Sequence, residues 1–228
     1  MAGDPIEAMA LAMEGLWTDT PASGGPGALP LEVQARVVGG YQWIERRLFE
    51  VLGGWVPSEP VAEARIVFDV YSQQHAWHAE LWAERLPVLD SFDPATVTVP
   101  PTVEVDRLLT LLAGGAPGQA PAAGGTLLRL VGLARVVLPR LIAGYGVHLH
   151  RAAPVADGPV VRSLRLVMRD EIESWQATEI LVQSLVSRPH DIAVVTAHQQ
   201  ALEEVLAGTG PGLVPWPRAA STDGTGQA

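Results

Sequence analysis

The sequence predicts an all-α protein, a four-helix bundle with one long crossover and short accessory helices. Three observations predict this class. Four long segments repeat apolar residues at the helical period of about 3.6 residues, tight turns join these segments in two pairs, and a proline-rich stretch separates the pairs. Two helical hairpins joined by one long connection form a known type of bundle.

The first hairpin consists of the first two long helices. The first helix is predicted over residues 31–52 and ends at the glycine pair Gly53 and Gly54, a typical C-terminal signal. The second is predicted over residues 60–86, with Ser58 as its candidate N-cap residue.

The crossover and the second hairpin follow. Residues 87–102 contain four prolines and predict an irregular connection. Further helices are predicted over residues 104–113, 126–151, 160–186 and 189–207. The second and third of these are the remaining long helices, and the low-complexity stretch 114–125 is a linker.

Helix-breaking residues interrupt two of the long helices. Pro139, Gly144 and Gly146 lie in the third helix and predict an irregular path that opens a cavity beside the polar residues described below. Gly39 and Gly40 make a similar weak point in the first helix. The alternative is that these small residues allow close packing.

The chain divides into three parts. Residues 1–30 are an N-terminal helix (5–17) with a linker, residues 31–207 are the bundle, and residues 208–228 are a flexible C-terminal tail. Trp216 is the residue of the tail that could anchor it to the bundle.

Composition excludes several functions. The chain has no Cys and no Lys, which excludes disulfides, cysteine-bound zinc, cysteine nucleophiles and Schiff-base lysines. The net charge is −10 and the arginines are dispersed, unlike the basic patch of nucleic-acid binders. The apolar stretch 127–149 contains three Arg and predicts a buried helix, and the first residues lack the basic start of a signal peptide. We therefore expect a cytoplasmic protein that binds neither nucleic acid nor membrane.

Polar side chains interrupt the apolar stripes of the long helices. Glu45 lies on the stripe of the first helix, His75 and His78 on the second, and Glu171 on the fourth. Tyr145 lies on the stripe of the third, followed one turn later by His148. An unpaired charge is costly to bury, so these groups are expected to satisfy each other, bind a metal or bind a polar substrate.

Each of these residues also has a structural interpretation. Glu45 could lie at the edge of its stripe and pair with an arginine, and Tyr145 could be a core aromatic residue. His150 is expected to be solvated and His198 to be structural. An exposed Trp77 would make a homodimer plausible.

At the level of these residues, the chain resembles the ferritin-like superfamily, especially the small actinobacterial ferritin-like proteins. In that superfamily the first and third helices each supply a Glu and the second and fourth each supply Glu-x-x-His, which together bind two iron or manganese ions. Glu45 matches the first-helix Glu, His75 the second-helix His, and Glu171 the fourth-helix Glu.

The ligand pattern of the superfamily is only partly present. Ser72 stands where the second-helix Glu is expected and Ser174 where the fourth-helix His is expected. The third-helix Glu is replaced by Tyr145 or has no counterpart. His78, and His148 as a further candidate, could supply compensating ligands. Glu45, His75, His78 and Glu171 form an adequate nitrogen and oxygen environment for iron or manganese.

Three functions follow as hypotheses. The first is a small-molecule oxidoreductase in which Glu45, His75, His78 and Glu171 bind iron or manganese. The second is a metal-free cyclase, isomerase or lyase on the same scaffold, with a histidine as general base, a buried carboxylate of raised pKa, and Tyr145 as hydrogen-bond donor. The third is a non-catalytic helical binding module. The sequence slightly favours the first.

Overall fold

The computed structural model describes residues 29–114, 125–153 and 155–216. Within these ranges the chain is helical and contains no strand, which confirms the all-α class. The predicted helix at 5–17, most of the linker after it and the end of the predicted tail lie outside the described residues.

Six helices are present in the described ranges. The first hairpin is α1 (Leu31–Trp55) and α2 (Ala62–Ala83), joined through a 3-10 turn. The short α3 (Val103–Leu112) follows the crossover. Helix α4 runs through Thr126–Gly132, a π-helical turn at Leu133–Val137 and Leu138–Arg151. Helices α5 (Gly158–Leu185) and α6 (Pro189–Val205) complete the order.

The start of α2 differs from the prediction. Ser58 is not its N-cap residue, because it belongs to the 3-10 turn and its hydroxyl donates to the carbonyl of Trp55 at 3.2 Å. Glu59 forms the side-chain hydrogen bond at the start of the helix instead, since its Oε1 accepts from the N–H of Val61 at 3.1 Å. Its Oε2 accepts from Arg129 at 3.1 Å, so this buried carboxylate also ties the first hairpin to α4.

The irregularity of α4 precedes Pro139. In the π-helical turn, the N–H of Leu138 donates to the carbonyl of Leu133, five residues earlier. Proline has no N–H, and its ring crowds the carbonyl four residues back, so a wide turn here relieves the clash. Tyr145 itself lies in regular helix.

The glycines allow close packing. A Cβ on Gly39 would lie 2.4 Å from the carbonyl oxygen of Val97 in the crossover, and a Cβ on Gly212 would lie 2.8 Å from the Cα of Gly144. Helix α1 runs through Gly39 without a break. Gly39 and Gly144 therefore let the crossover and the C-terminal segment lie against the helices.

One hydrophobic core joins all six helices. Leu213 and Val214, which belong to the predicted flexible tail, also pack against it. Leu213 is buried and the ring of Trp216 meets that of His148 at 5.0 Å. In the described part of the chain, no helix combines the length and the hydropathy needed to span a bilayer.

Two glycines of α1 provide a test of this packing. We expect Gly39→Ala to lower the free energy of unfolding by about 1–3 kcal/mol, because the added methyl group overlaps the backbone of Val97. Gly54→Ala should raise it by about 0.5–1 kcal/mol, because nothing lies within 4 Å of the new Cβ and alanine favours helix. Urea unfolding measures both, and equal effects would contradict the close approach.

Candidate metal centre

Four side chains predicted from the stripes meet in the core. Glu45 comes from α1, His75 and His78 from α2, and Glu171 from α5. Each is at most 2% exposed. The spacing of three residues between the histidines places both on the side of α2 that faces α1 and α5.

The contacts within this cluster are short. His75 Nδ1 lies 2.6 Å from Glu45 Oε2 and 3.3 Å from Glu171 Oε1. His78 Nδ1 lies 3.1 Å from Glu171 Oε1 and 3.6 Å from Glu45 Oε2. Both imidazoles therefore present the same nitrogen to the same two carboxylate oxygens. The possibility that Glu45 lies at a helix edge and pairs with an arginine is wrong.

Tyr145 fixes the remaining oxygen of Glu45. The phenol is fully buried on α4 and donates a hydrogen bond to Glu45 Oε1. Burial, followed by the charges of Glu45 and Glu171, raises the pKa of Tyr145 well above its usual value. The hydroxyl therefore keeps its proton and holds the Glu45 carboxylate in one orientation.

The structure adds Asp170, which the sequence analysis did not identify. Its Oδ2 lies 3.1 Å from His78 Nε2, on the side of the ring opposite the cluster. The Asp170 side chain is 24% exposed, so it lies between the buried site and solvent. An acidic residue directly before the stripe carboxylate Glu171 was the available sequence signal.

Opposite charges control ionisation in the cluster. Burial alone would raise the pKa of Glu45, but the charges and hydrogen bonds of His75 and His78 outweigh it and lower the pKa to about 2. The expectation of a raised carboxylate pKa is therefore wrong for Glu45. Burial likewise opposes charging of the histidines, yet Glu171 and Glu45 raise the pKa of His75 to about 9, and Glu45 with Asp170 raises that of His78 to about 12.

Other candidate residues lie outside the cluster. His148 Nδ1 lies 3.2 Å from the hydroxyl of Tyr41, and burial lowers the pKa of His148 to about 4. Ser72 donates to the carbonyl of Phe49 at 2.9 Å, and Ser174 donates to Gln74 at 3.0 Å. Both serine hydroxyls therefore form hydrogen bonds with groups outside the cluster.

Two further histidines and Trp77 lie outside the cluster. His150 is exposed and His198 is partly buried. Trp77 is 48% exposed, and its ring meets that of His78 at 5.9 Å.

The cluster could hold a metal ion. Glu45, His75, His78 and Glu171 each offer one ligand atom, and these four atoms lie within 4.8 Å of one another. Glu171 Oε2 is buried and has no hydrogen-bond partner among the described residues, although its Oε1 meets both histidines. A buried carboxylate oxygen without a partner is costly, and a cation would satisfy it. The residues present therefore fit a metal.

No protein-family model, no curated protein sequence and no solved structure matches this chain.

We expect the metal-free protein to lose stability as the pH rises above neutrality. The pKa of His75 rises from 6.5 to about 9 on folding, so its stabilising contribution is complete below pH 6.5 and is lost as the pH rises through 9. Urea unfolding across this range measures the effect. Glu45→Gln should give a shallower decline, because it removes the nearest partner of His75.

The exposed His150 provides the control for this titration. His150→Gln should keep the wild-type decline, since its side chain lies outside the cluster. Wild-type stability that stays constant or increases over the same range would contradict the charged pairing.

Proposed function

We propose that the chain is a ferritin-like four-helix bundle that binds one iron or manganese ion and acts as a small-molecule oxidoreductase. The observation that carries the proposal is the set of four buried donor atoms within 4.8 Å of one another. Metal sites in helical bundles are built in this way, from side chains of facing helices that project into the core.

Charge balance supports a divalent cation. Two carboxylates give the cluster two negative charges, and in the metal-free protein the raised pKa values of His75 and His78 supply two compensating protons. A divalent ion bound to two neutral imidazoles would compensate the same charge. Metal binding would then release these protons, as is usual for histidine ligands.

The donor chemistry is compatible with iron or manganese. Two imidazole nitrogens and two carboxylate oxygens form a site of intermediate hardness, without the thiolates that select softer metals. An iron or manganese ion would supply one-electron redox chemistry. His75 and His78 would bind through Nδ1, and Glu45 and Glu171 would each contribute an oxygen.

The surrounding residues would orient these ligands. Tyr145 holds Glu45 through Oε1 and leaves Oε2 directed at the histidines. Asp170 accepts a hydrogen bond from His78 Nε2 and would keep the proton there, so that the proton released on metal binding would be the one on Nδ1. Burial of the four ligands keeps bulk water out.

The serine contacts favour one ion over the two of the ferritin-like superfamily. Ser72 and Ser174 occupy the positions of two ligands in that pattern, but both hydroxyls bind other groups. His148 pairs with Tyr41 and supplies no replacement. The ligands that remain form one compact set.

The metal-free alternative receives weaker support. Its best feature is the contact of 2.6 Å between His75 and Glu45, with Tyr145 on the same carboxylate. However, the raised pKa values of His75 and His78 keep both imidazoles protonated near neutral pH. A protonated imidazole cannot act as the general base that this mechanism requires.

Metal analysis tests the proposal. Protein produced with iron and manganese present should contain about one ion per chain by elemental mass spectrometry, since the site offers one compact ligand set. Glu171→Gln should lose most of the metal because it removes a ligand. Glu59→Gln should retain it, because Glu59 is a buried carboxylate that pairs with Arg129 instead.

Two outcomes would contradict the proposal. Protein that binds neither iron nor manganese, even after addition of each ion to the metal-free form, would favour the non-catalytic module. Protein that binds only zinc would contradict the redox assignment, since zinc has no redox chemistry.

Asp170 should tune the affinity for the metal without being a ligand. We expect Asp170→Asn to weaken metal binding by about 10–100-fold, because His78 loses the carboxylate that orients it. Competition with a chelator measures the affinity. Glu173→Gln is the matched control on the same helix, since Glu173 pairs with the exposed Arg169. Equal affinities for wild type and Asp170→Asn would contradict this role.

A further inference from the structure

A continuous series of aromatic rings runs from the cluster to the surface. The ring of Tyr145 lies 4.7 Å from that of Tyr41, measured between centroids, and Tyr41 lies 5.7 Å from His148. His148 lies 5.0 Å from Trp216. Tyr145, Tyr41 and His148 are buried, whereas Trp216 is partly exposed. Electron tunnelling decays exponentially with distance, so rings in contact are favourable steps.

Each tyrosine in the series has its own proton acceptor. Tyr145 donates to the carboxylate of Glu45, and the hydroxyl of Tyr41 meets Nδ1 of His148 at 3.2 Å. A buried phenol releases an electron readily only if a nearby group accepts its proton, because a charged phenol radical is costly in the core. Glu45 is that acceptor for Tyr145, and His148 is that acceptor for Tyr41.

His148 is suited to receive the proton of Tyr41. Burial lowers the pKa of His148 to about 4, so the ring is neutral near neutral pH. We assign its own proton to Nε2, because this tautomer leaves Nδ1 to accept the buried hydroxyl of Tyr41. The imidazole also bridges the rings of Tyr41 and Trp216.

The outer end of the series lines a cavity. Trp216 forms one wall of a surface cavity of about 630 Å³, together with Val147, Arg151 and Thr102. The guanidinium of Arg151 lies over the indole, 5.6 Å from its centroid. A cavity of this volume fits a small organic molecule.

We infer that Trp216, His148, Tyr41 and Tyr145 form a one-electron relay between a small organic reductant in this cavity and the buried metal site. The inference rests on the proposed function in one respect, because the metal ion that would receive the electron belongs to that proposal. The four residues themselves can be tested without a metal.

The relay conserves electrons and protons. With an oxidised metal ion bound, Tyr145 would give one electron to it, and the phenol proton would move to Glu45. Tyr145 then regains an electron from Tyr41 and its proton from Glu45, while the proton of Tyr41 moves to His148 Nδ1. The reductant supplies one electron through Trp216, and His148 returns the proton to Tyr41. Overall the reductant would lose one electron, the bound ion would gain one, and the protein would be unchanged.

The absence of cysteine allows a direct experiment. Ala207→Cys introduces a single thiol at an exposed position in the wall of the cavity, to which a ruthenium photo-oxidant is attached. After flash oxidation of the metal-free protein, electron paramagnetic resonance should detect a tyrosyl radical. The chain has three tyrosines, so three Tyr→Phe variants locate it.

The variants distinguish the order of the relay. We expect Trp216→Phe and Tyr41→Phe to lose the radical, Tyr145→Phe to keep a radical on Tyr41, and Tyr71→Phe and Trp43→Phe to behave as the wild type. Full radical yield in Trp216→Phe or Tyr41→Phe, or loss of the radical in Tyr71→Phe, would overturn the inference. Because no metal is present, failure of the proposed metal site leaves this result unaffected.

Discussion

Charge balance among two carboxylates and two imidazoles is the constraint around which the core is arranged. Glu45, His75, His78 and Glu171 lie where water cannot screen them, so each depends on the others for its charge. Three helices must therefore meet at one depth and in one register. Asp170 and Tyr145 extend the same constraint outward, since each fixes one of these four groups through an atom that faces away from the centre.

The packing of small residues serves this arrangement. Gly39 and Gly144 leave room for the crossover and the C-terminal segment to lie on α1 and α4. The C-terminal segment brings Trp216 onto His148, and His148 pairs with Tyr41. Close approach at Gly144 thus helps to connect the polar centre, through packed aromatic rings, with a cavity at the surface.

Much of this site could be predicted, because the spacing of apolar residues along a helix shows which of its faces is buried. Glu45, His75, His78 and Glu171 were found by their positions on apolar stripes, and all four are buried together. Asp170 was missed because it lies beside the stripe and its partner is on another helix. The pKa of Glu45 shifts in the direction opposite to that expected from burial alone, because His75 and His78, which lie in a different part of the chain, meet the carboxylate in the fold.

The π-helical turn of α4 determines where the chain tolerates a change of length. A turn of this kind holds one residue more than a regular turn, and one residue corresponds to a rotation of about 100° about the helix axis. Deleting one residue within Leu133–Val137 would close this turn and leave Tyr145 facing Glu45, but the ring of Pro139 would again crowd the carbonyl four residues before it. The same deletion between His75 and His78, in the regular helix α2, would turn one imidazole away from the other. The direction of Tyr145 on α4 therefore tolerates the loss of one residue, whereas the shared direction of His75 and His78 on α2 does not.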